Sequence, residues 1–246
     1  MTELTVMPRI RNPRRLSVMR TVMLLPMMAL VLVLGLLTGT AQAQAQDPQR
    51  DYRGFFAGSV LDGSGWTACA APITWSIDVS ALRRKQRSGE VRRMARSLKQ
   101  WAQATGLTMR FTGRERLRVD PVFHTLHPNN GDPLRERHIY ISFIREGEDP
   151  LMVDPVAGLA MPARVNSDTG EVIGGVAMFR AKHARNTREV SGYALKGPYL
   201  HELGHVFALG HADQSANAMY PVVGDRKKLG PGDTKGARAM LKPCRV

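Results

Sequence analysis

The stretch HELGHVFALGH, residues 201–211, constrains the fold more than any other part of the 246-residue chain. If its first half is helical, His201 and His205 lie one turn apart on the same helix face, about 6 Å along the axis. A straight helix would carry His211 about 15 Å from His201, too far for three imidazoles to share a metal ion. A common metal site therefore requires the chain to leave the helix after Phe207 and double back.

Alanine stands where a turn of this kind usually has glycine. The break normally uses a left-handed residue, a conformation that costs alanine roughly 1–2 kcal/mol and glycine almost nothing. Zinc held by protein ligands contributes on the order of 10 kcal/mol, which exceeds that strain. Gly210 offers a second place to bend. We therefore predict that His201, His205 and His211 all bind zinc despite Ala208.

Two neighbouring features add to this interpretation. Glu202 follows the first histidine, where a general base of a zinc hydrolase stands. A chance HExxH on a solvated helix is the alternative, and the third histidine at the spacing that a turn requires argues against it. The sequence NAMYP places Met219 in a tight turn ended by proline. This methionine is either ordinary core or a soft apolar floor beneath the metal.

The first 45 residues have a composition of their own. A basic start is followed by an apolar run over residues 22–37 and by small residues with cleavage sites after Ala43 or Ala45. This order predicts a secretory signal peptide, with an uncleaved membrane anchor as the alternative. In an exported chain Cys69 and Cys244 form one disulfide, unless both remain free buried thiols. The final compartment, periplasmic or extracellular, stays open.

Hydrophobic periodicity predicts an α+β domain over residues 69–246. Residues 46–68 show no clear period and are predicted to be a flexible N-terminal segment outside the core. Residues 112–137 are rich in charge and are predicted to be a long mobile connection. The remaining segments have the period of a strand or of a helix: strands at 72–78, 107–111, 138–144, 156–162 and 170–180, and helices at 88–106, 198–210 and 229–242.

Three capping residues follow from these boundaries. Ser88 is placed to cap the start of the first helix and Gly106 its end, while Asp233 is an N-cap candidate for the last helix. The order of strands and helices fits an α+β or mixed-sheet fold.

With these residues in place, HELGHVFALGH and AMYP together resemble the metzincin metalloproteases, specifically the matrixin-like branch found in bacteria. APITWSID resembles that family's first strand, EVRRMARSLKQWAQATGLTMRFTG its first helix and second strand, and LGPGDTKGARAML its closing helix. The resemblance implies a twisted, mixed five-stranded sheet with an antiparallel edge strand, an active-site helix and a C-terminal helix.

The resemblance also implies roles for individual residues. Glu202 is the general base and acid, beside one catalytic zinc on the three histidines, and Met219 is the methionine of the Met-turn. An extended peptide would pair with the edge strand, and the pocket after the scissile bond would be walled by the two residues beyond Tyr220. The residues in these two substrate-binding groups are Gly158, Leu159, Ala160 and Met161 in the strand, and Pro221 and Val222 in the wall.

The departures from the family matter as well. Met161 and Met178 stand near where animal matrixins carry histidines for a structural zinc, so we expect one zinc ion. No cysteine lies in a segment resembling the family's cysteine switch. Tyr220 directly follows Met219, which does not indicate a tyrosine ligand of the astacin kind. The acidic loop over residues 146–154 is a possible Ca²⁺ site, with a solvated loop as the alternative.

These observations predict an exported zinc endopeptidase that hydrolyses peptide bonds with a zinc-bound water and Glu202 as base. A metzincin-fold binding protein with weak or no turnover is one alternative, and a hydrolase of cell-wall peptides is another. The formal charge of +14 suits anionic partners, but its basic run lacks interleaved aromatic residues, so we expect no nucleic-acid partner. We also expect a monomer with no stable membrane insertion after signal cleavage.

Overall fold

The computed structural model of the chain describes residues 51–185, 196–224 and 227–244. The predicted signal peptide, residues 1–45, lies outside the described residues. Within the described ranges no helix is both long and apolar enough to cross a membrane.

The regular elements follow one another in the order of an α+β domain. In chain order they are β1 (Ile73–Asp78), α1 (Arg84–Thr105), β2 (Met109–Arg114), β3 (Leu117–Asp120), β4 (Thr125–Pro128), β5 (His138–Ile144), β6 (Gly158–Val165), β7 (Val172–Arg180), α2 (Ala181–Arg185), α3 (Lys196–Val206) and α4 (Pro231–Ala239).

Five of the strands form one mixed sheet, as predicted. Its order is β2-β1-β5-β7-β6, and only the edge strand β6 runs antiparallel to its neighbour. One face carries Ile139 and Phe179 into the main core with the long helices. The other carries Tyr140 and Met178 into a second cluster. Burial on both faces explains why β5 is buried along its whole length and is mostly apolar.

The prediction of a mobile connection over residues 112–137 is wrong. Part of it completes β2, and β3 and β4 pair as an antiparallel hairpin from Leu117↔Pro128 to Asp120↔Thr125. Leu126 of this hairpin is fully buried in the second cluster. The strands are four residues each and lie in a stretch rich in charge, which concealed a short period of two.

Two of the three predicted capping residues do not lie at the predicted cap position. α1 begins at Arg84, so Ser88 lies inside the first turns of the helix rather than at its cap. Gly106 does end the helix, in a left-handed conformation with φ 75°, and its N–H donates to Ala102 O at 2.8 Å. In α4 the N-cap is Gly230, and Asp233 is the third helical residue.

The two ends of the domain are joined, as predicted, by a disulfide between Cys69 and Cys244 with an S–S distance of 2.09 Å. Backbone hydrogen bonds continue this connection: Lys242 N donates to Trp66 O at 2.9 Å.

The segment before Cys69 was expected outside the core, and its described part contradicts that expectation. Trp66 is 1% exposed and belongs to the main core. Its indole Nε1–H donates to Val206 O at 2.8 Å, which satisfies a carbonyl at the end of α3. A single anchoring aromatic residue without regular backbone leaves no periodic signal in a sequence.

Candidate metal centre

α3 places two of the predicted metal ligands. Leu203 and Val206 of this helix are fully buried in the main core. The helix ends at Val206. Ala208 follows with φ 64°, and Leu209 N donates to Gly204 O at 3.0 Å. The break therefore occurs where the histidine spacing required it, on an alanine in the left-handed region.

Gly210, the second predicted bend, is not among the left-handed residues. A Cβ at this position would lie 2.8 Å from Gly54 O, so glycine is needed there for a close approach of two backbones.

The turn brings the three histidines together. The ring centroids are 4.9 Å apart for His201 and His205, 5.2 Å for His201 and His211, and 5.0 Å for His205 and His211. One ligand nitrogen from each lies within 4.8 Å of the other two. Among the described residues this is the only group of three or more side chains able to hold a metal ion.

Backbone carbonyls orient two of the imidazoles. His201 Nδ1 lies 2.8 Å from Ala218 O, and His205 Nδ1 lies 2.8 Å from Leu209 O. Because a carbonyl only accepts, each Nδ1 carries the proton and each Nε2 keeps a free lone pair. This is the arrangement by which proteins orient histidine ligands of metals.

Burial also sets the charge of the centre. It lowers the pKa of His201 to about 4 and that of His205 to about 3, and it lowers the pKa of His211 as well. The imidazoles are therefore neutral at pH 7. Burial raises the pKa of Glu202 to about 8.

Glu202 contacts the edge strand of the sheet. A Cβ at Gly158 would lie 2.6 Å from Glu202 Cγ, so the two residues are in direct contact and only glycine leaves room for the carboxylate. The start of β6 thus lies beside the metal centre. From there Leu159 and Met161 are half-buried, and Ala160 is buried.

Met219, the predicted methionine of the Met-turn, packs on the same helix. Met219 is 1% exposed, and its Sδ would be 2.0 Å from a Cβ at Gly204, between the two helical histidines in sequence. Its carbonyl accepts a hydrogen bond from Ala212 N at 2.8 Å. This turn therefore supports both the helix and the segment after His211.

Sequence reasoning missed the residue that holds this turn. The buried carboxylate of Asp233 accepts from Ala218 N at 2.6 Å, Met219 N at 3.1 Å and Gly230 N at 2.6 Å. Since Ala218 O orients His201, Asp233 supports the position of this histidine through one intervening residue. Its place fourteen residues after Met219 gave only the signal of a helix start.

Replacing Asp233 with alanine is expected to lower the free energy of unfolding by about 3–5 kcal/mol, because three buried amides lose their acceptor. Asp233→Asn keeps one accepting oxygen and is expected to lose less. Denaturant unfolding of the two variants beside wild type measures both effects. A loss below about 1 kcal/mol for the alanine variant would contradict this role.

The other predicted residues are placed with less direct contact to the centre. Pro221 and Val222 follow the Met-turn and are exposed, Val222 by 71%.

Elsewhere, the buried His138 lies between Thr74 and Ser76 of β1, with its ring nitrogens 2.7 and 2.9 Å from their hydroxyls.

The acidic loop over residues 146–154 directs its carboxylates to basic partners. Asp154 bridges Arg180 and Lys182 at 2.5 Å each, and Glu148 bridges Arg145 at 3.0 Å. These ion pairs, with the absence of an acidic metal cluster from the described residues, give the possible Ca²⁺ site no support.

The Matrixin family model, Peptidase M10, matches residues 65–241. The matched range contains all seven strands, the four described helices, the three histidines, Glu202 and Met219. The comparison with curated proteins finds no match.

Proposed function

Because the chain belongs to the matrixin family of metzincins, we propose that it is an exported, zinc-dependent endopeptidase. His201, His205 and His211 hold one zinc ion, and Glu202 is the general base and acid. The observation that carries this proposal is the convergence of three imidazole nitrogens, with a buried carboxylate on the residue that follows the first histidine.

The residues fit zinc in number, type and protonation. Three neutral imidazoles are a donor set of catalytic zinc sites, which leave one position open for water or substrate. The nitrogens lie within 4.8 Å of one another, close to the separation that Zn–N bonds of about 2 Å permit. The carbonyl partners at Nδ1 leave Nε2 as the ligand atom on His201 and His205.

Zinc in such a site supplies Lewis-acid chemistry, which polarises the peptide carbonyl and acidifies water. Glu202 receives the proton of the attacking water on its carboxylate and delivers it to the leaving nitrogen. Burial alone raises the pKa of Glu202 to about 8. A cation on the neighbouring histidines favours the charged carboxylate and lowers this pKa toward neutrality, where a group can both take and give a proton.

The edge strand is the proposed substrate platform. β6 pairs with β7 on one side only and lies at the edge of the sheet. An extended peptide can add to such an edge through backbone hydrogen bonds without needing a chain terminus. Cleavage within a chain follows, with Gly158, Leu159, Ala160 and Met161 along the peptide and Pro221 and Val222 beside the residue after the scissile bond.

Replacing Gly158 with alanine is expected to reduce kcat roughly tenfold or more while zinc affinity stays within about twofold, because the new methyl displaces Glu202 and no ligand. Gly174→Ala is the matched control, since its Cβ would meet Arg164 at an ordinary 3.6 Å. Steady-state kinetics and zinc competition test both variants. Equal kcat in the two variants would show that the contact between Gly158 and Glu202 does not affect catalysis.

The low pKa values of the histidines predict a zinc affinity that is nearly flat with pH. Between pH 7.5 and 6.0 we expect a change below about threefold, since His201 and His205 take up protons only near pH 4 and 3. Three imidazoles of ordinary pKa would lose roughly 50-fold over that range. Competition with a chelator of known affinity at each pH measures this. A loss near 50-fold would show that burial does not keep these groups neutral.

Export rests on two supports. The first 45 residues have the composition of a signal peptide. The disulfide between Cys69 and Cys244 suits an oxidising compartment. Sequencing the N-terminus of the secreted protein tests the proposed cleavage after Ala43 or Ala45.

The endopeptidase proposal is tested by mapping the products made from a folded protein, a denatured protein and purified cell-wall peptide. Internal cuts in the denatured protein that disappear with a chelator and return with zinc support it. Cuts confined to cell-wall peptide would favour the wall hydrolase. Bound zinc without cuts in any sample would favour a binding protein.

A further inference from the structure

Residues 51–56 lie across the loop that carries the third histidine, and we name them the N-terminal strap. Phe55 N donates to Ala208 O at 2.7 Å, and Gly210 N donates to Arg53 O at 2.8 Å. These two bonds form an antiparallel bridge in which Gly54 stands opposite Leu209. The strap therefore pairs with the backbone between two of the proposed ligands.

The strap also contacts the chain on the far side of His211. The guanidinium of Arg53 bridges Asp213 at 3.0 Å, and Gln214 Nε2 donates to Asp51 Oδ1 at 2.8 Å. Thus the loop is held both before and after its histidine. Exposed ion pairs contribute little, so the backbone bridge is the stronger part of this contact.

A third contact reaches a ligand directly. The ring of Phe55 meets the imidazole of His205 edge to face, with centroids 5.6 Å apart and an interplanar angle of 68°. Edge-to-face contacts of this kind are favourable, so the strap also supports the orientation of this ring.

The strap acts where the loop is under strain. Ala208 occupies the left-handed region, a conformation that is unfavourable for alanine. The two backbone hydrogen bonds to the strap stabilise the loop and oppose this strain. If Ala208 left the left-handed region, Leu209 O would move away from His205 Nδ1. The turn that brings His211 back to the other two histidines would then open. The strap therefore balances the cost of having alanine in this turn.

We propose that the N-terminal strap is a positioning element of the metal centre, and that a cut in the exposed turn after it weakens zinc binding. The turn is accessible, since Ala57 and Gly58 are exposed and Val60 is 96% exposed. This inference rests on the proposed function for the identity of the metal. The cut would act as a proteolytic off-switch, in which loss of residues 51–56 loosens the site while all three histidines stay in the chain.

The test is a cleavable version of the full chain, with the recognition sequence of a site-specific protease inserted after Gly58. The matched control carries the same sequence after Gly131, in another exposed turn. After cutting and removal of released peptide, zinc affinity is measured by chelator competition. We expect a loss of roughly 10- to 100-fold for the cut at 58, the range seen when support of a metal ligand is removed. No loss is expected for the cut at 131, and equal affinities would overturn the proposal.

A second readout needs no metal. Amide hydrogen exchange at Gly210, whose N–H donates to the strap, is expected to accelerate after the cut at 58 in metal-free protein. If the intact protein binds no zinc but Gly210 still becomes unprotected, the proposed function fails while the strap's hold on the loop stands. Unchanged exchange would overturn the strap itself.

A pair of substitutions isolates the backbone bond. Phe55→Ala and Phe55→Pro both remove the ring, and only proline also removes the N–H that donates to Ala208. We expect zinc affinity to be lower for the proline variant by severalfold. Equal affinities would show that the bridge does not position the loop.

Discussion

Peptide cleavage by Glu202→Gln is expected to fall by roughly 10²- to 10⁴-fold in kcat, the contribution that a positioned general acid and base makes. Glutamine keeps the shape of the side chain against Gly158 but cannot accept a proton. The histidines are untouched, so the variant should bind one equivalent of zinc with unchanged affinity. Single-turnover cleavage of a quenched peptide, with metal content measured on the same sample, checks both expectations.

Glu148→Gln is a suitable control for that variant. Glu148 lies on the surface in an ion pair with Arg145, away from the metal centre, and its loss should leave kcat within about twofold. If Glu202→Gln retained more than a tenth of wild-type kcat, Glu202 would not be the proton-transfer group.

Zinc affinity of His205→Ala is expected to fall by roughly 10²- to 10³-fold. Zinc sites with a full set of protein ligands contribute about 10–16 kcal/mol, or roughly 3–4 kcal/mol for each ligand. The variant also frees Leu209 O, which His205 Nδ1 now contacts at 2.8 Å. Competition with a chromophoric chelator at pH 7 measures the loss, and activity at limiting zinc should fall in parallel.

The matched control is His127→Ala, which removes a half-buried histidine from β4 outside the centre. Its zinc affinity should equal that of wild type. An equal loss in both variants would mean that the measurement reports unfolding, and no loss in His205→Ala would remove this residue from the ligand set.

Much of the scaffold could be predicted because its signals are local. Strands buried on one or both faces show alternation or continuous apolar runs, and β1, β5, β6 and β7 were found this way. The bend at Ala208 could be predicted without a glycine because the distance between His201 and His211 admits no straight helix. The disulfide between Cys69 and Cys244 followed from there being only two cysteines in a chain that we predicted to be exported.

What escaped prediction depends on contacts between distant parts of the chain. Asp233 looked like a cap of its own helix, while its carboxylate serves the amides of Ala218 and Met219. Trp66 and the strap lack periodicity because each acts through one or two residues. The hairpin of β3 and β4 is short and follows a run of charged residues, so it resembled a loop. A pattern of hydrophobicity records which side of an element is buried and not which element it meets.

The central claim is tested most directly by titrating metal-free protein with zinc while following cleavage of a peptide that has both ends blocked. We expect no cleavage without metal, a linear rise in cleavage rate that saturates at one equivalent of zinc, and no rise for Glu202→Gln at the same zinc occupancy. Two results would contradict the zinc endopeptidase proposal. One is cleavage by the metal-free protein, and the other is that no tested peptide is cleaved after one equivalent of zinc has bound.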